Sequence, residues 1–276
     1  MNALPISLFD SGIGGLTVMR ELAAQLPHEQ LIYLGDTARL PYGNKSPDAV
    51  RGFALDNAQF LLQHHTKLLI IACHTACCHA FDVLQAALPI PVIGVTKPGV
   101  KMLVQTTKTR RVAVLGTAST IASGLFQRLI QEADPSMIVY PVACPLFVPL
   151  VEEGMHMHAS TRLIVEHYLA HLRGHDIDAA LLACTHYPLL APLIQDVLGS
   201  RVRLIFPAVA TALEAKAFLD RAQLLNPGKA APQHRFFASD DPEKFQRMAR
   251  VFFPQPIEHV EGVNTSCEKF SRMQRF

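Results

Sequence analysis

The chain has no block of like charges and no long hydrophobic run. Its 25 Lys and Arg residues against 23 Asp and Glu give a formal net charge of +2, and these charges are scattered. Nothing therefore predicts a basic arm for nucleic acid. The longest apolar runs, such as Leu68 to Cys73, fall far short of the roughly 20 residues that span a bilayer. No basic segment opens the sequence either. We expect a cytoplasmic protein with neither a nucleic-acid nor a membrane partner.

Motifs for common cofactors and metals are also missing. The run Asp10-Ser-Gly-Ile-Gly-Gly15 is followed by Thr17 where a dinucleotide fingerprint needs glycine, and no clear P-loop lysine is present. No lysine stands in a setting that identifies a pyridoxal phosphate site. The thiols and imidazoles between Cys73 and His79 are zinc-type ligands, but no second ligand pair follows at zinc-finger spacing. We expect no cofactor, no metal and reduced cysteines.

Short apolar runs alternate with longer amphipathic stretches along the chain, and 50% of the residues are hydrophobic. This rhythm predicts an α/β protein with largely parallel sheets. The runs expected to form strands are Ile6 to Phe9, Gln30 to Leu34, Leu68 to Ala72, Pro91 to Val95, Val112 to Leu115, Ile138 to Val142, Ala179 to Ala183 and Arg203 to Phe206. The stretches with helical spacing include Leu16 to Leu26, Pro47 to His64 and Ser160 to Arg173.

Two parts of the chain resemble each other. The run from Ile6 to Gly12 and the run from Val112 to Thr117 both have the pattern of a strand that opens into a turn of small residues. Farther along, each part carries an apolar strand that ends in a cysteine, Cys73 in the first and Cys184 in the second. Ligands of open parallel sheets bind beyond the carboxyl ends of the strands. Both cysteines are therefore predicted at a binding edge.

The two cysteines suit proton transfer as a pair. Cys73 is expected at a helix N-terminus, which favours thiolate and predicts a modest lowering of its pKa from about 8.5. Either thiol alone is more typical of a small core residue, and Asp10 alone could be a helix cap. Racemisation of an amino acid, however, needs one group that removes the α-proton and a second that returns a proton to the opposite face.

Four segments, taken together, resemble bacterial glutamate racemases in order and spacing over nearly the whole chain. They are Phe9-Asp-Ser-Gly-Ile-Gly-Gly-Leu-Thr17, Gly35-Asp-Thr-Ala-Arg-Leu-Pro-Tyr-Gly43, Pro145-Leu-Phe-Val-Pro-Leu-Val-Glu-Glu-Gly154 and Cys184-Thr-His-Tyr-Pro-Leu-Leu190. The resemblance implies two similar three-layer α/β domains with largely parallel sheets, related by a pseudo-twofold axis, with the active site in the cleft between them. It places residues 1–97 plus 207–276 in the first domain and 98–206 in the second.

The resemblance also implies the site. Cys73 and Cys184 would be the catalytic acid/base groups, with Asp10 assisting Cys73, and Glu152 and His186 assisting Cys184. The residues expected to bind substrate are Asp10, Ser11, Tyr42, Gly43, His74, Thr75, Thr185 and His186. Hydroxyl and backbone N–H groups are donors to carboxylate oxygens. The implied activity is cofactor-independent interconversion of L- and D-glutamate, which supplies D-glutamate for peptidoglycan. The partner is a small amino acid, and a homodimer is the assembly to test.

Three positions depart from the family pattern. His74 stands where asparagine is usual, Lys97 where an acidic residue is common, and Ala183 where glycine is usual. Imidazole is bulkier than an amide and can become charged near pH 6.5, so His74 either pairs with the Cys73 thiolate or crowds the substrate. Two alternatives stay open: a racemase of this fold acting on aspartate or another acidic amino acid, and a glutamate-binding regulatory protein without turnover.

Overall fold

The computed structural model describes residues 2–228 and 230–265. Its strands are β1 (Ile6–Asp10), β2 (Leu31–Gly35), β3 (Leu68–Ile71), β4 (Val92–Gly94), β5 (Arg111–Gly116), β6 (Ile138–Ala143), β7 (Ala179–Ala183), β8 (Arg203–Ile205), β9 (Arg235–Ala238) and β10 (Glu261–Gly262). Its helices are α1 (Leu16–Gln25), α2 (Pro47–Leu62), α3 (His74–Ala87), α4 (Thr96–Thr106), α5 (Ala118–Ala122), α6 (Leu125–Ala133), α7 (Phe147–Glu152), α8 (Ala159–Leu169), α9 (Ala191–Leu198), α10 (Pro207–Arg221) and α11 (Pro242–Phe252).

The strands form two parallel sheets. One has the order β10-β9-β2-β1-β3-β4 and the other the order β6-β5-β7-β8. Within the described residues every strand pair is parallel, so the predicted α/β class with parallel sheets is confirmed. The order β2-β1-β3-β4 recurs as β6-β5-β7-β8, which gives the two similar parts of the sequence the same topology.

Burial explains why the central strands are rich in apolar residues. All five residues of β1 and all five of β7 are buried, because helices cover both faces of a parallel sheet. Helix starts follow local chemistry. Helix α2, for example, begins at Pro47 after Ser46, whose hydroxyl accepts a hydrogen bond from the Ala49 N–H.

The segment after residue 206 returns to the first sheet. Helix α10 packs against α1 and α4, and β9 pairs with β2 from Ile32↔Arg235 to Gly35↔Ala238. Strands β9 (four residues) and β10 (two residues) were not predicted from the sequence. The domain boundaries at 97/98 and 206/207 stay predictions. Residues 266–276 of the predicted first domain lie outside the described residues.

Candidate active site

The loops that follow corresponding strands of the two sheets meet at one cavity of about 170 Å³. Ten of the eleven predicted site residues line it: Ser11, Tyr42, Gly43, Cys73, His74, Thr75, Glu152, Cys184, Thr185 and His186. The eleventh, Asp10, does not line the cavity and is completely buried at the end of β1.

Cys73 occupies the N-cap position of α3, where its Sγ accepts a hydrogen bond from the Ala76 N–H at 3.4 Å. The thiol is only 5% exposed. Burial, with a further contribution from the charge of Asp10, raises the pKa of Cys73 to about 12. The predicted lowering of this pKa is therefore wrong, because loss of hydration outweighs the favourable helix terminus.

Asp10 has one occupied and one free carboxylate oxygen. Its Oδ2 accepts backbone N–H groups from Gly12 at 3.3 Å and Gly15 at 3.1 Å, whereas Oδ1 has no hydrogen-bond partner among the described residues. Burial raises the pKa of Asp10, while His186 and the turn's N–H groups oppose that shift. A buried acceptor without a partner is costly. Asp10 therefore retains the capacity to accept a proton or a hydrogen bond beside Cys73.

Cys184 lies just after β7 and is 7% exposed. Burial raises its pKa well above the ordinary value, a backbone hydrogen bond from His186 lowers it, and negative charge on Asp10, Cys73 or Glu152 raises it further. Since a charge on Cys73 makes ionisation of Cys184 less favourable, the pair favours one thiolate and one thiol over two thiolates.

His186 and Glu152 form a hydrogen-bonded pair next to Cys184. The His186 Nε2 atom lies 3.0 Å from Glu152 Oε1, and its Nδ1 lies 3.4 Å from the Thr185 hydroxyl. Gly14, in the loop between β1 and α1, makes room for this arrangement: a Cβ there would collide with the His186 ring and the Thr185 hydroxyl. Gly14, in the first half of the chain, thus contacts the imidazole that lies beside Cys184 in the second half.

A cluster of three threonine hydroxyls joins the two halves. Thr75 Oγ1 lies 3.0 Å from Thr117 Oγ1 and from Thr120 Oγ1, which are also 3.0 Å apart. Thr117 lines the cavity together with Pro145, Val148 and Pro149, and none of these four was predicted as a site residue. The internal repeat could have predicted Thr117, because Thr117 follows β5 in the same way as the turn at Asp10 follows β1.

Tyr42 meets the cavity differently from the expectation for a hydroxyl donor. Its hydroxyl is buried and donates to Asp36, and it also lies 3.1 Å from Asn57 Nδ2. Gly43 has no side chain and approaches Thr117, where a Cβ would come within 2.8 Å. The polar groups that Tyr42 and Gly43 can offer a ligand are therefore backbone groups.

His74 is neutral and buried at the start of α3. Burial lowers its pKa to about 3, and its ring stacks on Phe126 with centroids 6.1 Å apart. Neither ring nitrogen has a hydrogen-bond partner within residues 2–228 and 230–265. The predicted alternative in which His74 pairs with the Cys73 thiolate is not seen. The ring occupies space at the cavity wall.

Two broader properties concern the described part of the chain. No helix there is long and apolar enough to cross a membrane, and no three His, Cys, Asp or Glu side chains there are arranged to hold a metal ion. Of the thiols considered for zinc, Cys77 lies 3.1 Å from the Thr96 hydroxyl. Chemically, two weakly acidic thiols, the Glu152 carboxyl group and the imidazole of His186 line one small cavity, and the buried Asp10 carboxyl group lies behind it. This set can move protons to and from a small acid.

Comparisons with known proteins point the same way. The sequence model of the family described as Asp/Glu/Hydantoin racemase matches residues 13–215. The chain is 46% identical over 262 residues to a glutamate racemase of Chlorobaculum tepidum, covering 94% of this chain and 96% of that protein. The structure is similar to a glutamate racemase of Bacillus anthracis (TM-score 0.92, 37% identity, 96% and 98% coverage). It is also similar to that of Francisella tularensis in complex with D-glutamate (TM-score 0.91, 37% identity, 96% and 99% coverage).

Proposed function

Because the chain belongs to the Asp/Glu/hydantoin racemase family of isomerases, we propose that it interconverts L- and D-glutamate by a two-base mechanism that needs no cofactor. The observation that carries this proposal is the placement of Cys73 and Cys184. They follow β3 and β7, which are equivalent strands of two sheets with the same order, and both line one cavity. The relatives named as glutamate racemases, one of them bound to D-glutamate, support glutamate as the substrate.

The reaction balances with one thiolate and one thiol. A thiolate at one cysteine removes the α-proton and becomes a thiol, leaving a carbanion conjugated with the α-carboxylate. The thiol of the other cysteine then protonates the α-carbon on the opposite face and becomes the thiolate. In the reverse direction the roles exchange. The effect of a charge on Cys73 upon Cys184 disfavours two thiolates, and this sequence of steps never requires more than one.

The substrate itself helps to form the thiolate. The thiol pKa values are raised mainly because both thiols are buried. The α-ammonium group of an amino acid brings a positive charge into the cavity, and a positive charge stabilises a nearby thiolate. Asp10, buried behind Cys73, would accept the thiol proton of Cys73 through its free Oδ1. The Glu152 and His186 pair would perform the same task on the Cys184 side.

Binding of the two carboxylates requires donors. The hydroxyls of Ser11, Thr75 and Thr185, with the backbone at Tyr42 and Gly43, line the cavity and would donate to carboxylate oxygens. The His74 side chain contributes bulk, and its ring makes no hydrogen bond to the described residues. We propose further that the D-glutamate formed is used for peptidoglycan synthesis. A cytoplasmic location and a homodimer stay predictions.

The direct experiment is incubation of the purified protein with L- or D-glutamate in deuterated water. Circular dichroism follows optical activity, and NMR or mass spectrometry follows deuterium at the α-carbon. We expect either enantiomer to yield the racemate, with deuterium in the product. Absence of exchange in folded protein overturns the assignment. Faster exchange with aspartate would favour the alternative substrate, and glutamate binding without exchange that His74→Asn converts to turnover would favour the regulatory protein.

A further inference from the structure

One wall of the cavity is a short segment, residues 40–44, that carries Tyr42 and Gly43. Beneath this wall lies a network of buried polar side chains that the catalytic steps do not use. It centres on Asp36, which is completely buried, and on Arg39, whose side chain is 17% exposed. These two side chains form a salt bridge next to the segment.

Arg39 uses all of its guanidinium nitrogens in this network. Its Nε donates to Asp36 at 3.0 and 2.7 Å, and Nη1 donates to Asp56 at 2.7 Å. Nη2 donates to Asn57 at 2.9 Å and to Thr265 at 2.8 Å. The guanidinium carbon also lies 4.6 Å from the centre of the Phe53 ring. A planar group with five donors suits such a multidentate contact, and lysine cannot replace it donor for donor.

The same network binds Tyr42 in the cavity wall. Asp36 accepts the Tyr42 hydroxyl, and Asn57 donates to that hydroxyl oxygen at 3.1 Å. The Tyr42 ring packs on the Phe53 ring, with centroids 5.4 Å apart. Arg39 therefore reaches Tyr42 by three routes, through Asp36, Asn57 and Phe53. All three routes end on Tyr42, which lines the cavity.

Distant parts of the chain complete the network. The Ser239 hydroxyl, just after β9, donates to Asp36 at 2.9 Å. Thr265, the last described residue, accepts from Arg39. The segment that returns to the first sheet after residue 206 is thus connected to the cavity wall.

We infer that Arg39 is a positioning residue for substrate binding: through Asp36, Asn57 and Phe53 it fixes the Tyr42 and Gly43 backbone against which a substrate carboxylate binds. This inference rests on the proposed function, since it assigns the wall a carboxylate ligand. It makes a kinetic prediction, because the wall contacts the substrate carboxylate in the ground state and the transition state alike. Loosening such a contact raises KM and leaves kcat nearly unchanged.

The test compares glutamate kinetics of Arg39→Lys, Arg39→Met and Tyr42→Phe with those of the wild type. We expect KM to rise about tenfold in Arg39→Lys and further in Arg39→Met, with kcat within about threefold, since losing one charge-assisted hydrogen bond is worth about a tenfold change or more. Tyr42→Phe keeps the ring and removes one hydroxyl, so it tests the same wall if the arginine variants fold poorly.

Lys67 supplies the matched control. Its Nζ lies 2.6 Å from Glu29 Oε2, and both side chains are as buried as Asp36, at 2% and 3% exposure, but neither lines the cavity. Lys67→Met should lower the urea midpoint of unfolding and leave KM unchanged. If Arg39→Lys behaves like Lys67→Met, with reduced stability and normal KM, the inference is overturned while the proposed function stands. If the wild type does not racemise glutamate, both are overturned.

Discussion

Nε2 of His186, two residues after Cys184, lies 3.0 Å from Oε1 of Glu152 at the end of α7. The imidazole is almost completely buried, and the carboxylate is partly exposed, with 22% of its side chain accessible. A carboxylate that accepts from one ring nitrogen fixes the orientation and tautomer of a histidine. The pair therefore prepares the Cys184 side of the cavity for proton transfer.

Glu152→Gln tests the role of this pair. The amide keeps the shape and a hydrogen bond but loses the charge, and we expect kcat/KM to fall by about 10²-fold. The fall must be equal in the two directions, because the equilibrium constant of a racemisation is one. Initial rates with each enantiomer measure it. Glu153→Gln changes the exposed neighbour and should leave both rates unchanged. Equal effects of the two variants would contradict the role given to Glu152.

Gly14→Ala tests the close approach of the two halves of the chain. A methyl group at this position collides with the His186 ring and the Thr185 hydroxyl, so we expect a destabilisation of about 1–3 kcal/mol and a loss of kcat. Urea unfolding and racemisation rates measure both effects. Gly52→Ala is the control, since nothing lies within 4 Å of its added Cβ in α2. That substitution should stabilise the protein by about 0.5–1 kcal/mol. Normal activity in Gly14→Ala would show that His186 does not need this space.

The pH dependence of stability tests the burial of His74. Its pKa is about 3 in the folded protein and about 6.5 in an unfolded chain, so between these values the unfolded state binds the extra proton. The free energy of unfolding should therefore fall as pH decreases from 6.5 towards 3, by up to about 1.4 kcal/mol per pH unit from this residue. His74→Asn should remove that part of the slope. Urea titrations between pH 4 and 8 provide the comparison, and parallel curves for the two proteins would contradict the buried neutral imidazole.

The sequence predicted the strand-end cysteines because parallel strands carry a clear apolar pattern and end at one edge. Strands β1 to β8 were found in this way, and the repeated order of the two sheets matches the similarity between the segments around Cys73 and Cys184. Strands β9 and β10 were not recognised, because β9 pairs with β2 through residues more than 200 positions apart in the sequence and β10 pairs only with β9.

Features that depend on burial or on distant contacts could not be predicted from the sequence. The raised pKa of Cys73 follows from burial of the thiol, whereas the local sequence shows only the favourable helix terminus. The hydroxyl of Tyr42 binds Asp36 rather than facing a ligand, and the Arg39 network closes only when Ser239 and Thr265 arrive beside it. Local sequence motifs do not identify these distant partners.

The proposed mechanism requires two cysteines that act on opposite faces of one substrate. Racemisation of glutamate by Cys73→Ser and by Cys184→Ser tests this most directly, because serine preserves the size of the side chain and is a far weaker acid than a thiol. We predict that each substitution alone lowers kcat by about 10³-fold or more, in protein that unfolds at the wild-type urea midpoint. Near-normal turnover by either variant would show that this cysteine is not an essential base, and would contradict the two-base mechanism.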